Sequence, residues 1–357
     1  MSPAQATETR ATDNAAAQGL TVGPFAGEPA EWDAFAERQA GYTHYHKYGW
    51  RRVMERVFSH EGVYLAARDA AGELAGILPL IRMRSALFGR QLCSMPFLNY
   101  GGPIGSDDAI RALSSVAAEQ AGRERTKTLE YRARVPLPVD FPSSSHKITV
   151  TMDLKPNASQ ALFKSLPSQV RNQVRKPIKA GVTMRFGADQ VRPFFEVFAR
   201  NMRDLGTPTH TPKLFEAIAA EFPNDAIFGC AYVGDKPVAA GCGIVWGNEI
   251  EMAWGSALRE YNKSHAPNMM MYWSFMERAC ELGLSVFNFG RCTPGEGTHR
   301  FKTQWGGRDE ALWWYGPHVN ELGKIGAAER YGPLVWRHLP LPIANMIGPW
   351  VRRGISA

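Results

Sequence analysis

A glycine-rich segment, VFNFGRCTPGEGTHRFKTQWGG (residues 286–307), carries the residues best suited to chemistry. An apolar run typical of a strand leads into a loop, a common place for ligand contacts, and Lys302 follows between two aromatic residues. Such a lysine can lie on apolar surface and present its ammonium to a phosphate or to an oxyanion that forms during a reaction. The alternative is a solvated lysine on a loop whose glycines only form turns. The other candidate contacts of this segment are cations and aromatics: Arg291, Arg300, Phe301 and Trp305.

A second candidate site is the basic segment SQVRNQVRKPIKAGVTMR (residues 168–185), which holds five basic residues and no acidic one. It is predicted to begin as a helix, on which Arg171 and Arg175 share a face because they are four residues apart. Cations near a helix start are unfavourable beside the helix dipole unless an anion lies near, so Arg171, Arg175 and Lys176 are candidate anion contacts. Pro177 is expected to kink or end the helix, which puts the placement of Lys176 in doubt. A solvated basic face is the alternative.

Three further stretches have residue types suited to binding or proton transfer. Glu251 lies on a predicted strand and can act as a general base, or it can be a paired surface carboxylate. Asn99 and Tyr100 precede two glycines in FLNYGGP, where the backbone allows a substrate to approach closely or simply turns. His46, in THYHKYGW, can contact an acceptor or pack among its aromatic neighbours. Cys292 has no histidine placed to activate it, which argues against thiol catalysis.

Composition limits the class of protein. A chain of 357 residues with 45% hydrophobic and 21% charged residues is globular and long enough for two domains. The net charge of +7 fits a phosphate-bearing partner such as CoA, a nucleotide-linked glycan or tRNA, and fits a protein without one equally well. There are five cysteines, and none has CxxC spacing, so neither a zinc site nor a disulfide framework is predicted. We therefore expect a cytoplasmic location. Residues 334–351 contain three prolines and do not read as a membrane span.

The elements that must position these residues form a repeated pattern. Two hairpins are predicted about 160 residues apart, over residues 63–83 and 227–247, each with turn residues at its tip. Helical segments precede each hairpin, and a further strand and a helix follow it. One helix, over residues 193–204, is predicted to be amphipathic. Its apolar face is expected to carry Phe195, Phe198, Met202 and Leu205.

The second half reads as helix, strand, two helices, three antiparallel strands, helix and strand, with loop from Gly290 onward. This order is typical of a mixed sheet with helices on its faces, so we predict an α/β (α+β) fold of two similar units. The predicted parts are a disordered leader (1–19), an N-terminal module (20–145), a C-terminal module (146–316) and a C-terminal helical tail (317–357). The tail repeats tryptophan and arginine, and either packs on the body or lies on an anionic membrane surface.

Several of these segments resemble the FemAB-type aminoacyltransferases, which belong to the wider GNAT-like acyltransferases. The resemblance rests on FNFG…FKTQWGG, on the preceding PNMMMYWSFMERACELG and on SLPSQVRNQVRKPIKAGV. Further stretches, YHKYGWRRVMERVFSHEGVYLAA, GILPLIRMRSALFGRQLCSMPFLNYGGP and RNMRDLGTPTH, resemble the FemAB-related branch associated with PEP-CTERM/exosortase and exopolysaccharide loci. The resemblance covers roughly residues 25–350.

The resemblance implies two tandem GNAT-like modules and transfer of an acyl or aminoacyl group to an amine or hydroxyl. It maps the lysine that lies near the transferred acyl group in the Fem enzymes onto Lys302. It maps the basic helix that opens their second module onto Arg171, Arg175 and Lys176. The implied acceptor is a small molecule or is linked to a glycan of the cell envelope or an exopolysaccharide. No permanently bound cofactor and no metal is expected.

The acyl donor is left open between acyl-CoA and aminoacyl-tRNA. CoA-using GNAT enzymes hold the pyrophosphate on a glycine-bearing loop at a helix start, where backbone N–H groups cradle the anion. The corresponding stretch here, LREYNKSHAPNMM, has no glycine and places Pro267 where an N–H is needed. Arg259 and Lys263 remain candidate phosphate contacts. The Fem enzymes lack a normal CoA loop and use aminoacyl-tRNA, which this pattern tolerates.

Two other classes of function fit the same residues. One is a catalytically inactive GNAT-like binding module in envelope or polysaccharide assembly, and the other is an RNA-binding protein without transfer activity. For an enzyme, we expect Lys302 to line a cleft near Arg171 or Arg175.

Overall fold

The structure is a computed structural model that describes residues 19–85, 88–317, 319 and 327–356. The predicted leader therefore lies, apart from Gly19, outside the described residues. The chain divides into two compact units. The first comprises Met1–Ser145, Leu312–Lys324 and Gly354–Ala357, and the second comprises His146–Ala311 and Ile325–Arg353.

The first unit is built on an eight-stranded mixed sheet. Numbered along the chain, its strands are β1 (Thr21–Pro24), β2 (Glu61–Arg68), β3 (Leu74–Ser85), β4 (Gly89–Ser94), β5 (Ile104–Gly105), β6 (Thr128–Ala133), β7 (Ser143–Ser144) and β15 (Trp313–Tyr315). Its helices are α1 (Pro29–Ala36), α2 (Gly49–Phe58) and α3 (Asp107–Arg123), with a 3-10 turn at His44–His46. The sheet order is β1-β2-β3-β4-β6-β15-β7, with β5 beside β3. Among the described strand pairs of this first sheet, β4 and β6 are parallel and the others are antiparallel.

The last described residues of the chain dock onto the first unit. The guanidinium of Arg132, which is fully buried, donates to the carbonyl oxygens of Leu98 and Ser356 at 2.7 and 2.8 Å. The backbone N–H of Phe97 also donates to Ser356, and the Gln91 amide donates to the Gly354 carbonyl at 3.0 Å. Arg132 is thus held by this segment as well as by its ion pair with Glu130.

The second unit is built on a seven-stranded mixed sheet of order β14-β8-β13-β12-β11-β10-β9. These strands are β8 (Ile148–Asp153), β9 (Thr183–Phe186), β10 (Ala226–Val233), β11 (Lys236–Trp246), β12 (Glu249–Ala257), β13 (Val286–Cys292) and β14 (Arg308–Ala311). The first helices are α4 (Ser159–Ser165), α5 (Ser168–Lys179), α6 (Val191–Leu205) and α7 (Pro212–Glu221). The later ones are α8 (Asn262–His265), α9 (Pro267–Glu281), α10 (Gly297–Thr303), α11 (Ala327–Trp336) and α12 (Leu341–Arg352), and 3-10 turns lie at Ala188–Gln190 and Arg259–Tyr261.

Both predicted hairpins are confirmed. Strands β2 and β3 pair antiparallel through a turn at Asp69–Gly72, and β10 and β11 do the same in the second unit. The prediction of two mixed sheets flanked by helices is also confirmed. Burial of apolar side chains joins helix to sheet: Phe275, Met276 and Cys280 of α9 are fully buried in the core of the second unit.

Three local predictions are corrected. Helix α5 does not stop at Pro177 but continues to Lys179, and Pro177 is buried in its last turn, where burial of the ring offsets the one hydrogen bond that the missing N–H costs. The chain from Gly290 onward is not all loop: β13 reaches Cys292, and α10, which is too short to show a period in the sequence, carries Lys302. On α6 the buried face includes Phe194 and Phe198, whereas Leu205 is exposed.

All five cysteines are buried free thiols, as predicted for Cys230 and Cys242. No helix within residues 19–85, 88–317 and 327–356 combines the length and the apolar character that a bilayer crossing requires.

Candidate active site

The candidate site lies in the second unit where two parallel strands part. Strands β12 and β13 pair only from Glu249 and Val286 to Glu251 and Asn288. Beyond that point β12 pairs with β11 alone, and β13 pairs with β8. We call the place beyond the last pair, Glu251 and Asn288, the strand split. An opening of this kind exposes backbone N–H and C=O groups that a bound molecule can satisfy.

Both strands carry a bulge at the strand split. In β12, Ala253 is an extra residue relative to β11, because Cys242 faces Trp254 while Gly243 faces Met252. In β13 the register with β8 shifts between Asn288 and Arg291, and Gly290 has a φ of 74°. Bulges bend a strand and re-aim its side chains, and this pair directs the two strands apart.

Asn288 organises the strand split through a buried cluster of hydrogen bonds. Its amide donates to Glu249 at 2.7 Å, and its carbonyl oxygen accepts from the Thr149 hydroxyl at 2.5 Å and from the Gly290 N–H at 2.8 Å. Asn288 and Thr149 are fully buried. A buried polar network that is satisfied in this way fixes one backbone arrangement. It therefore fixes the bulge of β13.

Lys302 reaches this bulge from α10. Its ammonium donates to the carbonyl oxygens of Gly290 and Arg291 at 2.6 and 2.9 Å, and only 7% of the residue is exposed. An ammonium has three N–H donors, so a third remains for a ligand oxygen. Burial lowers the pKa of Lys302 to about 8, partly offset by Cys292 and Glu251, which raise it, while Arg291 lowers it further. Lys302 is mostly charged at pH 7.

The structure brings Glu251 to the same place. It is the last residue of β12 that pairs with β13, it is fully buried, and its charge acts on Lys302. The surface carboxylate considered as the alternative is excluded by this burial. A carboxylate and an ammonium at a strand split can respectively accept a proton and stabilise an oxyanion.

The open edge of β12 continues the site. Gly255 is exposed although it lies inside a seven-stranded sheet, because β13 no longer pairs with β12 there. A Cβ at Gly255 would lie 3.2 Å from the Tyr272 hydroxyl and 3.3 Å from the Met271 methyl group. Burial raises the pKa of Tyr272 above its ordinary value, so the hydroxyl stays neutral. Neither Gly255 nor Tyr272 is among the sequence candidates.

Trp305 and Phe301 pack against Tyr272 beside the site. The Trp305 ring is 1% exposed and lies 6.3 and 6.5 Å from the rings of Phe301 and Tyr272, while the ring centroids of Tyr272 and Phe301 are 5.0 Å apart. Trp305 therefore packs in the core of the second unit, and the ligand contact predicted for it from the sequence stays a prediction. Phe301 is half-buried against the same core.

Two of the cations around the loop before α10 donate hydrogen bonds to residues of that loop. Arg300 is exposed and donates to the Gly295 carbonyl at 3.0 Å. Arg291 is half-buried and acts electrostatically on both Lys302 and Lys147. Lys147, which is not a sequence candidate, donates to the Thr293 hydroxyl at 2.7 Å. Burial raises the pKa of the Cys292 thiol, which keeps it protonated and disfavours thiol catalysis.

The structure does not join the basic helix α5 to Lys302 by hydrogen bonds. Arg171 donates to the carbonyls of Lys164 and Leu166, and Arg175 donates to Asn172 and lies over the Phe163 ring. Lys176 donates to the Lys263 carbonyl. The expectation that these cations and Lys302 line one cleft stays a prediction.

The segment before α9 is poorly suited to bind a pyrophosphate. Arg259 and Lys263 are exposed on the 3-10 turn and on α8. Helix α9 begins with Pro267, which has no N–H, after Ala266 with a φ of 44°. One donor for an anion is therefore missing at this helix start.

The candidates of the first unit, His46, Tyr100 and Asn99, are buried or half-buried. Both ring nitrogens of His46 are used, Nδ1 with Thr43 and Nε2 with the Gly102 carbonyl at 2.9 Å. Burial lowers the pKa of His46 to about 4, so the ring is neutral. The ring packs among its neighbours, which is the alternative given in the sequence analysis. Tyr100 is 1% exposed against Tyr45, and Asn99 is half-buried. His46 and Tyr100 line a small cavity with room for about one water molecule.

The site residues that the sequence did not reveal include Asn288, Thr149 and Gly255, besides Tyr272 and Lys147. Asn288 is the one polar residue in VFNFG, an apolar strand, and a buried amide there is a signal of a hydrogen-bond cluster. Thr149 and Gly255 leave no such signal, because their roles depend on which strands are neighbours.

Most of the candidate site lies in a stretch that is similar to a known domain. Residues 165–303 match the family model described as an acetyltransferase (GNAT) domain. Comparison with curated proteins found no match. Among solved structures, FemX is 14% identical with a TM-score of 0.61, and the match covers 85% of this chain and 99% of FemX.

Two further structures are similar in fold. The C-terminal domain of a putative lysylphosphatidylglycerol synthetase from Agrobacterium fabrum is 10% identical with a TM-score of 0.53, covering 89% of this chain and 95% of that one. A tandem GNAT protein from the clavulanic acid biosynthesis pathway is 12% identical with a TM-score of 0.50, covering 84% and 98%. Residues 165–303 therefore match the GNAT acetyltransferase domain, and the chain shares its fold with FemX and with a tandem GNAT protein.

Proposed function

We propose that the chain is a FemAB-like acyltransferase that moves an acyl or aminoacyl group to an amine or hydroxyl of a cell-envelope or exopolysaccharide-related acceptor in the cytoplasm. The observation that carries the proposal is that Lys302 and Glu251 are both buried at the strand split, where the charge of Glu251 acts on Lys302, inside the segment that matches the GNAT domain. FemX and the lysylphosphatidylglycerol synthetase domain, which share the fold, support the choice of an envelope acceptor.

The reaction is direct attack without a covalent enzyme intermediate. The donor carbonyl lies at the strand split, where the open edge of β12 offers backbone hydrogen bonds. The remaining N–H of Lys302 donates to the carbonyl oxygen and stabilises its negative charge in the tetrahedral intermediate. Glu251 accepts the proton of the attacking amine or hydroxyl. Collapse of the intermediate breaks the bond to the donor and expels the CoA thiolate or the ribose alkoxide of the tRNA, which takes up the proton that Glu251 accepted.

For the donor, the helix start at Pro267 favours aminoacyl-tRNA over acyl-CoA. Arg171, Arg175, Lys176, Arg259 and Lys263 supply the contacts proposed for donor phosphates. Arg291 and Arg300 are proposed for the acceptor.

The test is transfer by the purified full chain. Radiolabelled aminoacyl-tRNA and radiolabelled acyl-CoA are each supplied with an envelope extract as acceptor, and the wild type is compared with Lys302→Met. We expect label to move from one donor class only, and roughly a hundredfold slower in the variant. Equal transfer by a folded Lys302→Met protein would remove Lys302 from the mechanism.

The second candidate function is an inactive binding module for envelope or polysaccharide assembly. It is favoured by the two backbone hydrogen bonds of Lys302, which a purely structural lysine would also make. No transfer from either donor, together with mass-spectrometric detection of a retained glycan or lipid, would support it.

A further inference from the structure

Helices α11 and α12 of the second unit present apolar side chains to solvent. On α12, Met346 is 73% and Trp350 63% exposed, and Ile343 is exposed as well. On α11, Leu334 and Val335 are exposed. Positions 343, 346 and 350 follow helical spacing and therefore form one stripe. Tryptophan and methionine side chains rarely stand so far into water without a partner.

The opposite face of α12 is fixed to the unit. Ala344 and Gly348 are buried, and a Cβ at Gly348 would lie 3.1 Å from the Thr209 nitrogen. Arg203 of α6 donates to the Leu339 carbonyl, which precedes α12, at 2.9 Å. The exposed stripe is consequently the outer side of a packed helix and not a loose end.

Helix α11 carries Glu329 and Arg330 near its start, and the charged residues after them are cationic. Residues 331–357 include no aspartate or glutamate, whereas Arg337 and His338 follow α11 and Arg352 and Arg353 close α12. Arg337, His338 and Arg353 are exposed. The neighbouring carboxylate of Asp204 is paired with Arg203 at 2.7 Å. The surface is thus apolar at its centre and cationic at its ends.

We propose that this surface, the exposed face of α11 and α12, docks the protein onto an anionic lipid bilayer. Its apolar stripe would enter the boundary between headgroups and acyl chains, with Trp350 at the interface and the arginines among anionic headgroups. Helix α12 has 12 residues, about 18 Å, and therefore lies on the membrane without crossing it. The inference does not depend on the proposed transfer reaction.

The test is flotation of the full chain with lipid vesicles. One set is rich in phosphatidylglycerol, and the other contains phosphatidylcholine alone. We expect binding to the anionic set that weakens as salt is added. The double variant Met346→Asp/Trp350→Asp should bind on the order of tenfold or more weakly, since it removes the stripe and adds negative charge. Arg337→Gln/Arg353→Gln should lose several-fold on anionic vesicles.

The matched control is Leu282→Asp, because Leu282 is an exposed apolar residue just after α9, and this variant should bind as the wild type does. Circular dichroism confirms that each variant is folded. Absence of binding to anionic vesicles, or equal binding of the stripe variant, overturns the proposal. So does a concentration-dependent dimer in analytical ultracentrifugation that the stripe variant abolishes, because a second copy would then cover the surface.

Discussion

At the scale of residues, the proposed chemistry depends on two charged side chains that are buried at the strand split. Lys302 and Glu251 could be chosen from the sequence by residue type and by neighbours, and the structure brings them to one place. Residue type does not predict that both side chains are buried. It also does not predict that Lys302 links α10 to the β13 bulge through a hydrogen bond. Both depend on contacts between β12, β13 and α10 that have no local sequence signal.

The pH dependence of transfer tests the charge of Lys302. The ammonium is the form that donates to an oxyanion, and its pKa of about 8 means that raising the pH through this value removes the charge. Single-turnover transfer should therefore fall above pH about 8. In Lys302→Arg the side chain stays charged, so whatever activity that variant retains should not fall in the same range. A parallel decline in both proteins would assign the titration to another group.

The hydrogen-bond cluster of Asn288 predicts a stability effect. Asn288→Ala leaves Thr149, Glu249 and the Gly290 N–H without their buried partner, which should lower the free energy of unfolding by roughly 2–4 kcal/mol. Urea denaturation measures the change. Asn248→Ala is the matched control, since Asn248 is exposed and its side chain makes one hydrogen bond, to Ser285. A loss of less than about 0.5 kcal/mol is expected there.

At the scale of elements, the sequence was informative wherever an element's own period decides its structure. The hairpins, helix α7 after Thr211 and strand β12 follow from alternation, capping and turn residues. Helix α10 and strands β14 and β15 did not, because they have seven, four and three residues and are stabilised by partners distant in sequence. Strand β15 pairs with β6, about 180 residues earlier. Such pairings are settled by tertiary contacts and not by propensity.

The open edge of β12 predicts a site-blocking variant. In Gly255→Val the new side chain would occupy the opening beside Tyr272, so donor binding should weaken roughly tenfold or more while the sheet keeps its pairing. Affinity for both donors can be measured by isothermal titration calorimetry. Gly122→Ala, in α3 with nothing within 4 Å of its Cβ, should leave affinity unchanged and stabilise the first unit by up to about 1 kcal/mol. Unchanged affinity in Gly255→Val would place the donor elsewhere.

At the scale of the whole molecule, net charge bears on the donor. The formal charge of +7 is compatible with either donor. The positions of the cations on the surface are what distinguishes a tRNA donor from a CoA donor. Helix α5 exposes Arg175 and Lys176. A polyanion bound there would displace several counterions, whereas a single CoA would displace few.

Salt dependence of donor binding follows from this difference. If aminoacyl-tRNA is the donor, its association constant should fall steeply with salt on a double-logarithmic plot. Arg175→Gln and Lys176→Gln should each reduce the slope by about one. Filter binding at a series of salt concentrations measures it. A flat dependence, or an unchanged slope in both variants, removes tRNA contact by α5.

The first unit is assembled from three separate stretches of chain, and this has a consequence for biosynthesis. Strand β15 and the segment that reaches buried Arg132 are translated after most of the second unit. The amino-terminal portion is translated early but lacks these partners until they have been made, and most of the second unit is made before them. Maturation during translation should therefore proceed out of order, with the part made first being the last to reach its native state.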